Sequence, residues 1–169
     1  MKVPFALLLL ALLAACSAVR VAGDPDLRLE RGARYAWSST SENGIDEDVP
    51  LDRYLDAVAD ELELRGVSRA TTASADYLVD VAVEIETRIQ QNDPVFSLYT
   101  AHEVEDARVT VRILEAGADR VLWAGECVHE LRTTARSLGG TPPLWESLDR
   151  QREWLPDAQV ERIFERLAR

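Results

Sequence analysis

Residues 75–90 read ADYLVDVAVEIETRIQ, and the alternation within them decides the fold. Odd positions Tyr77, Val79, Val81, Val83, Ile85 and Ile89 are apolar, whereas even positions include Asp76, Asp80, Glu84, Glu86 and Arg88. A period of two over this length predicts a β-strand with one buried and one wet face. The sheet it belongs to therefore packs on one side only.

Working toward the C-terminus, Asn92-Asp93-Pro94 breaks the run. A second strand is predicted over Glu103–Leu114, a hairpin turn at Ala116-Gly117-Ala118-Asp119, and a third strand over Arg120–Arg132. The third strand places Val121, Trp123, Gly125, Cys127 and Leu131 on one face. Toward the N-terminus, Pro50 opens a helix whose stripe is Leu51, Tyr54, Leu55, Val58 and Leu62, and Gly66 closes it in the left-handed conformation. Further back, Arg34–Trp37 reads as a short aromatic strand, and Val19-Arg20-Val21 as another ahead of a turn at Gly23-Asp24-Pro25-Asp26. After Arg132 the pattern dissolves around Gly139-Gly140 and Pro142-Pro143. A short helix is expected between Leu144 and Trp154, and a terminal helix from Pro156-Asp157 carrying Val160, Ile163, Phe164 and Leu167. The expected fold is a single α+β domain: a mostly antiparallel sheet of three to five strands with two amphipathic helices packed on one face.

The N-terminus supplies an address. Lys2 precedes an apolar run, Phe5 to Leu13, that is too short for the ~20 residues a membrane-spanning helix needs. It ends in Leu13-Ala14-Ala15-Cys16-Ser17, which resembles the lipobox of bacterial lipoproteins. That resemblance implies cleavage before Cys16, lipidation of Cys16, and acyl chains enough for stable anchoring. An ordinary secretory signal cut after Ala15 is the competing reading. Ser17 stands where lipoproteins retained in the inner membrane usually carry aspartate, so the resemblance points to the outer membrane, on its periplasmic face. The expected organisation is residues 1–15 as signal peptide, 16–33 as lipidated cysteine with a short tether or first strand, and 34–169 as the domain.

Formal net charge is −11, and loss of the leader with Lys2 makes the remaining chain one unit more acidic. That balance opposes binding to nucleic acid or to anionic headgroups, both of which need a basic patch. Once Cys16 carries lipid, Cys127 is the other cysteine and has no intramolecular partner. It is a core thiol, an intermolecular bridge or a reactive group, and its position on the Trp123 face favours the core.

Cys127 and His129 fall at i, i+2 on one strand face, as two metal ligands or a nucleophile and its base would. Two ligands fall short of a zinc set, so a core cysteine and a rim histidine are expected instead. His102-Glu103-Val104-Glu105-Asp106 is acidic but lacks the glycine-centred spacing of a calcium loop. No phosphate-binding, dinucleotide or nucleophile-elbow motif is present. The expected catalytic set, metal and cofactor are none. Trp145 and Trp154, outside the predicted core, either seal the sheet's edge or anchor a partner.

The order of motifs has a likeness of its own. The lipobox is followed by Tyr35-Ala36-Trp37, a helix closing on Leu62-x-x-x-Gly66, Ala75-Asp76-x-Leu78-Val79, Val121-Leu122-Trp123-x-Gly125 and Ile163-Phe164. This is similar to the bacterial lipoproteins grouped as domain of unknown function 4136. The resemblance implies a fold and an envelope location and no activity. The function expected is a non-enzymatic structural or interaction lipoprotein, held to the membrane through Cys16 and contacting another envelope protein. A periplasmic module that binds a small molecule, lipid or glycan is the alternative.

Overall fold

The computed structural model describes residues 18–38, 51–91, 101–118, 120–132 and 148–168. Residues 1–15, Cys16, Trp145, the breaks at 92–94, 139–140 and 142–143, and the side chains of His102 and Trp154 lie outside the described set. The alternating stretch becomes β4 (Tyr77–Gln91), paired along its whole length with antiparallel β5 (Ala101–Glu115). β5 pairs with β6 (Val121–Arg132), and β6 with β1 (Ala18–Gly23), both antiparallel. On the other flank, β2 (Arg34–Trp37) runs parallel to β4 and to the two-residue β3 (Ser68–Arg69). The sheet order is β1-β6-β5-β4-β2-β3.

A six-stranded mixed sheet corrects the expected three- to five-stranded, mostly antiparallel one, although the α+β class holds. The cause is the connection from β2 to β4. The chain leaves β2 through helix α1 (Leu51–Leu64) and returns in the same direction, so the pair must be parallel. On the way Ser68 and Arg69 pair with Arg34 and Tyr35. Two exposed residues are too few to show any periodicity.

Helix α1 buries Leu51, Tyr54, Ala57, Val58 and Leu62. Each large apolar side chain so buried stabilises by roughly 1.5–3 kcal/mol relative to exposure. Gly66 ends the helix at φ 78°. Val67 N–H donates to the Leu62 carbonyl at 3.0 Å and Gly66 N–H to Glu63 at 2.8 Å, the double bond of a Schellman cap. Asp76 of the Ala-Asp motif joins β2 to β4: its backbone N–H donates to the Arg34 carbonyl, and its carboxylate accepts from the Arg34 N–H, both at 2.8 Å.

The second helix, α2 (Leu148–Phe164), corrects a boundary. It runs unbroken through Pro156, where a short helix and a separate terminal one were expected. Local sequence disfavours proline inside a helix by ~3 kcal/mol. Here the packed face overrides it, because Leu155, Val160, Ile163 and Phe164 are all buried against the sheet and α1.

Gly125 permits that approach. A Cβ there would sit 2.5 Å from Cγ2 of Ile163 and 2.5 Å from the Trp123 ring. The apolar face of β4, β5 and β6 completes the core with Val79, Val109, Val111, Ile113, Trp123 and Cys127. Val121 does not join it. The register shifts between Ile113 and Leu114, so Leu114 pairs with Val121 and Ile113 with Trp123. This bulge leaves Val121 44% exposed, against the strict alternation that placed it beside Trp123.

The opposite face carries a lattice of charge. Arg20 meets Glu126 at 3.7 Å, and Arg108 lies 3.9 Å from Glu126 and 4.0 Å from Glu84. Exposed pairs of this kind contribute ~0–1 kcal/mol each. Asp80 is the exception on a face expected to be wet: it is buried beneath an ion pair with Arg112 and accepts a 2.9 Å bond from the Ser38 hydroxyl.

Candidate functional site

The sequence offers two places for chemistry or contact, the Cys127–His129 pair and the two tryptophans, and the structure adds a third at the helix ends. Cys127 sits on β6 opposite Val109 and Val19, with no solvent exposure and outside any disulfide. Burial keeps the sulfur out of reach of solvent-borne reagents. His129 follows on the same face, opposite Ala107, and is half-buried. Burial lowers its pKa below the ordinary value, and the nearby Arg162 guanidinium of α2 lowers it further, with Glu130 opposing. Among the described residues, no group of three or more histidine, cysteine or acidic side chains is placed to hold a metal.

Beside the pair lies a polar feature that the sequence reading missed. Gln159 of α2 is 1% exposed. Its Nε2 donates to the Ala107 carbonyl at 3.0 Å and reaches the Cys127 carbonyl at 3.4 Å, while its Oε1 accepts from the Tyr54 hydroxyl at 2.9 Å. One amide thus ties α2 to β5, β6 and α1. Burial raises the Tyr54 pKa well above its ordinary value, so the phenol stays protonated and can donate throughout the working range. The available signal was a glutamine on the same helical stripe as Leu155, Ile163 and Phe164.

The helix ends are the candidate that the structure adds. A cleft of about 470 Å³ opens where the C-termini of α1 and α2 meet the segment before β2, lined by Leu29, Arg31, Glu61, Leu64, Arg65 and Glu165 among others. Arg65 closes its floor. Its guanidinium donates to the Glu61 carbonyl at 2.9 Å and the Phe164 carbonyl at 2.9 Å, pairs with the Glu61 carboxylate, and lies 4.9 Å above the Phe164 ring. A cation that caps carbonyls at two helix C-termini complements both dipoles. Its work is structural: it locks α1 to α2. Leu64, at the rim, is 81% exposed.

For the tryptophans, Trp145 lies outside the described residues. Trp154 falls within α2, but its side chain lies outside them. The structure therefore brings Cys127 and His129 onto one strand face, and β1 begins at Ala18, two positions after Cys16 in the sequence. No helix among the described residues is long and apolar enough to cross a membrane.

The family described as Domain of unknown function (DUF4136) matches residues 19–139, from β1 through β6. The chain belongs to that family. The order of motifs from Tyr35-Ala36-Trp37 to Val121-Leu122-Trp123 had indicated it. No curated protein matches the chain. Among solved structures, the PelC dodecamer from Paraburkholderia phytofirmans is similar: 17% identity, a TM-score of 0.54, 91% of this chain and 99% of that one. At that identity the likeness is one of fold alone. A minor lipoprotein from Acinetobacter baumannii is 14% identical over 78% of this chain and 89% of its own, with a TM-score of 0.44. The rare lipoprotein B from Shewanella oneidensis, also 14% identical, covers 78% and 91% with a TM-score of 0.41. These two are too distant to carry an argument.

Proposed function

We propose that this DUF4136 chain is a lipid-anchored protein of the bacterial outer membrane, folded on the periplasmic side, that works by contact with other protein and catalyses no reaction. The observation that carries the reading is where β1 begins. Ala18 is already hydrogen-bonded into the sheet opposite Val128, so Ser17 alone separates it from the lipobox cysteine. Two residues reach roughly 7 Å at ~3.5 Å each. A domain tied that closely to a bilayer has little freedom to swing, which suits a fixed station rather than a roaming catalyst. The thiol that a catalytic reading would need, Cys127, supports the same view, since it is packed in the core with no solvent exposure. The Paraburkholderia protein of similar fold is a dodecamer, so self-contact is one form that the interaction can take.

The test begins with Cys16→Ser, which is expected to abolish palmitate labelling and leave uncut precursor; labelling that survives would remove the anchor. Ser17→Asp is expected to move the protein from outer- to inner-membrane fractions. Affinity capture of the lipidated protein from gently solubilised envelopes then reports partners, and capture of nothing beyond background would count against a contact role.

The alternative, a small-molecule, lipid or glycan module, has one observation in its favour: the cleft at the helix ends, whose mixture of Arg31, Glu61, Glu165 and Leu64 can meet both charge and apolar surface. Leu64→Trp would occupy its rim. Ligand-dependent thermal stabilisation lost in that variant would favour the binding module over the contact protein.

A further inference from the structure

The two edges of the sheet are not alike. At one edge, β3 is only two residues long and its Arg69 guanidinium covers Trp37 at 5.9 Å. Short length and charge are the means by which natural sheets blunt an edge. At the other edge, β1 is six residues, AVRVAG, paired to β6 without a register shift from Ala18 to Gly23. It has no proline and no bulge. Its one charge, Arg20, is turned to the face where Glu126 lies. Val21 is 40% exposed, and among the described residues nothing pairs with the outer side of the strand.

The hydrogen-bond parity of that outer side can be read. Asp24 N–H donates to the Leu122 carbonyl at 2.9 Å, continuing the β1–β6 register. Even-numbered residues therefore exchange bonds with β6, and Val19 and Val21 turn their backbone groups outward, while Gly23 at φ 89° ends the extended stretch. A second antiparallel strand can dock there in few registers. Pairing β1 with its own copy about Arg20 sets two guanidiniums directly opposite each other, which is destabilising. Pairing about Val21 avoids this: Arg20 faces Ala22 of the copy, Val21 covers Val21, and the central pair exchanges two hydrogen bonds.

We propose that β1 is a self-association edge, at which two copies join antiparallel about a two-fold axis through Val21 to make one continuous sheet. The inference rests on the lipid-anchored contact reading, because the anchor explains why the occupant is a second copy. Ala18 lies two residues from Cys16, so every copy in a leaflet presents β1 at the same depth. A two-fold axis normal to the sheet leaves both anchors level, as one leaflet requires. Confinement also raises the effective concentration of one edge for the other, which a strand pair of this small area needs.

The experiment uses full-length lipidated protein in native envelopes, with cysteine placed at Val21 or, as an exposed control on α1, at Leu64. Facing Cα atoms in a hydrogen-bonded pair are ~5.5 Å apart, within disulfide range. Mild oxidation is expected to give at least five-fold more covalent dimer from Val21→Cys than from Leu64→Cys, and background alone from wild type, whose Cys127 is buried. Val21→Pro is the second variant; it removes only an outward N–H and leaves the β6 ladder intact. It is expected to convert the detergent-solubilised protein from dimer to monomer. Equal cross-linking at the two positions, a Val21 cross-link to a different polypeptide, or a Val21→Pro protein that stays dimeric would each overturn the proposal. The same cross-link tested on concentrated Cys16→Ser protein made without residues 1–15 separates the two readings. Loss of palmitate labelling speaks to the anchor alone, whereas a dimer there upholds the edge whatever becomes of the anchor.

Discussion

Replacing Gln159 by leucine is the sharpest test of how the two layers are joined. The side chains are similar in size, so the change removes hydrogen bonding with little change in volume. Gln159 is 1% exposed and Tyr54 2%, so no water stands ready to substitute. The variant loses the 3.0 Å bond to the Ala107 carbonyl and strands the Tyr54 hydroxyl, which had donated to Oε1 at 2.9 Å. A buried donor left unsatisfied costs ~1–3 kcal/mol, and leucine regains part of that through its apolar surface. The net expectation is a destabilisation of about 1–3 kcal/mol. In a domain of this size that is about 2–4 °C of melting temperature per kcal/mol. Tyr54→Phe is expected to cost about 1–2 kcal/mol by stranding Oε1 from the other side. The double variant removes donor and acceptor together, so its cost should fall below the sum of the singles by about 1–2 kcal/mol. Urea denaturation of the leaderless Cys16→Ser chain measures all four corners of the cycle. Additivity of the two singles within ~0.3 kcal/mol would refute the argument, because groups that do not touch add independently.

Three further outcomes follow from the packing and charge of the core. Gly125→Ala forces a methyl to within 2.5 Å of both Ile163 and Trp123 and is expected to destabilise by ~1–3 kcal/mol; an unchanged denaturation midpoint would show that α2 can retreat freely. Cys127 should resist a thiol reagent in the native protein and react fully once denatured, and rapid native labelling would return the reactive-thiol reading. His129 has a folded-state pKa below its unfolded value, so below about 6.5 the unfolded chain binds the extra proton and folding stability falls as the pH drops toward the folded pKa. Above that window the group is neutral in both states and contributes no slope, and a His129→Gln variant whose pH dependence matches wild type between pH 5 and 7 would contradict this.

Much of the architecture was legible because the elements that matter announce themselves locally. The β4 alternation, the stripe of α1, its Gly66 cap and the turn at Gly117 each follow from a residue's own backbone preference or from a period that one element can display. The resemblance of Leu13-Ala14-Ala15-Cys16-Ser17 to a lipobox is likewise a property of the linear sequence. What remained hidden depends on partners distant in the chain. Ser68 and Arg69 become a strand only because β2 offers them an edge, and β2 runs parallel to β4 only because α1 spends the reversal between them. Pro156 stays inside α2 because burial of Leu155, Val160 and Ile163 outweighs a local penalty that sequence alone would enforce. Asp80, polar on a polar face, is buried through Arg112, thirty-two residues away. The division is physical: short-range sterics and periodicity are written residue by residue, whereas burial, register and the unpaired flank of β1 exist only once the sheet has assembled.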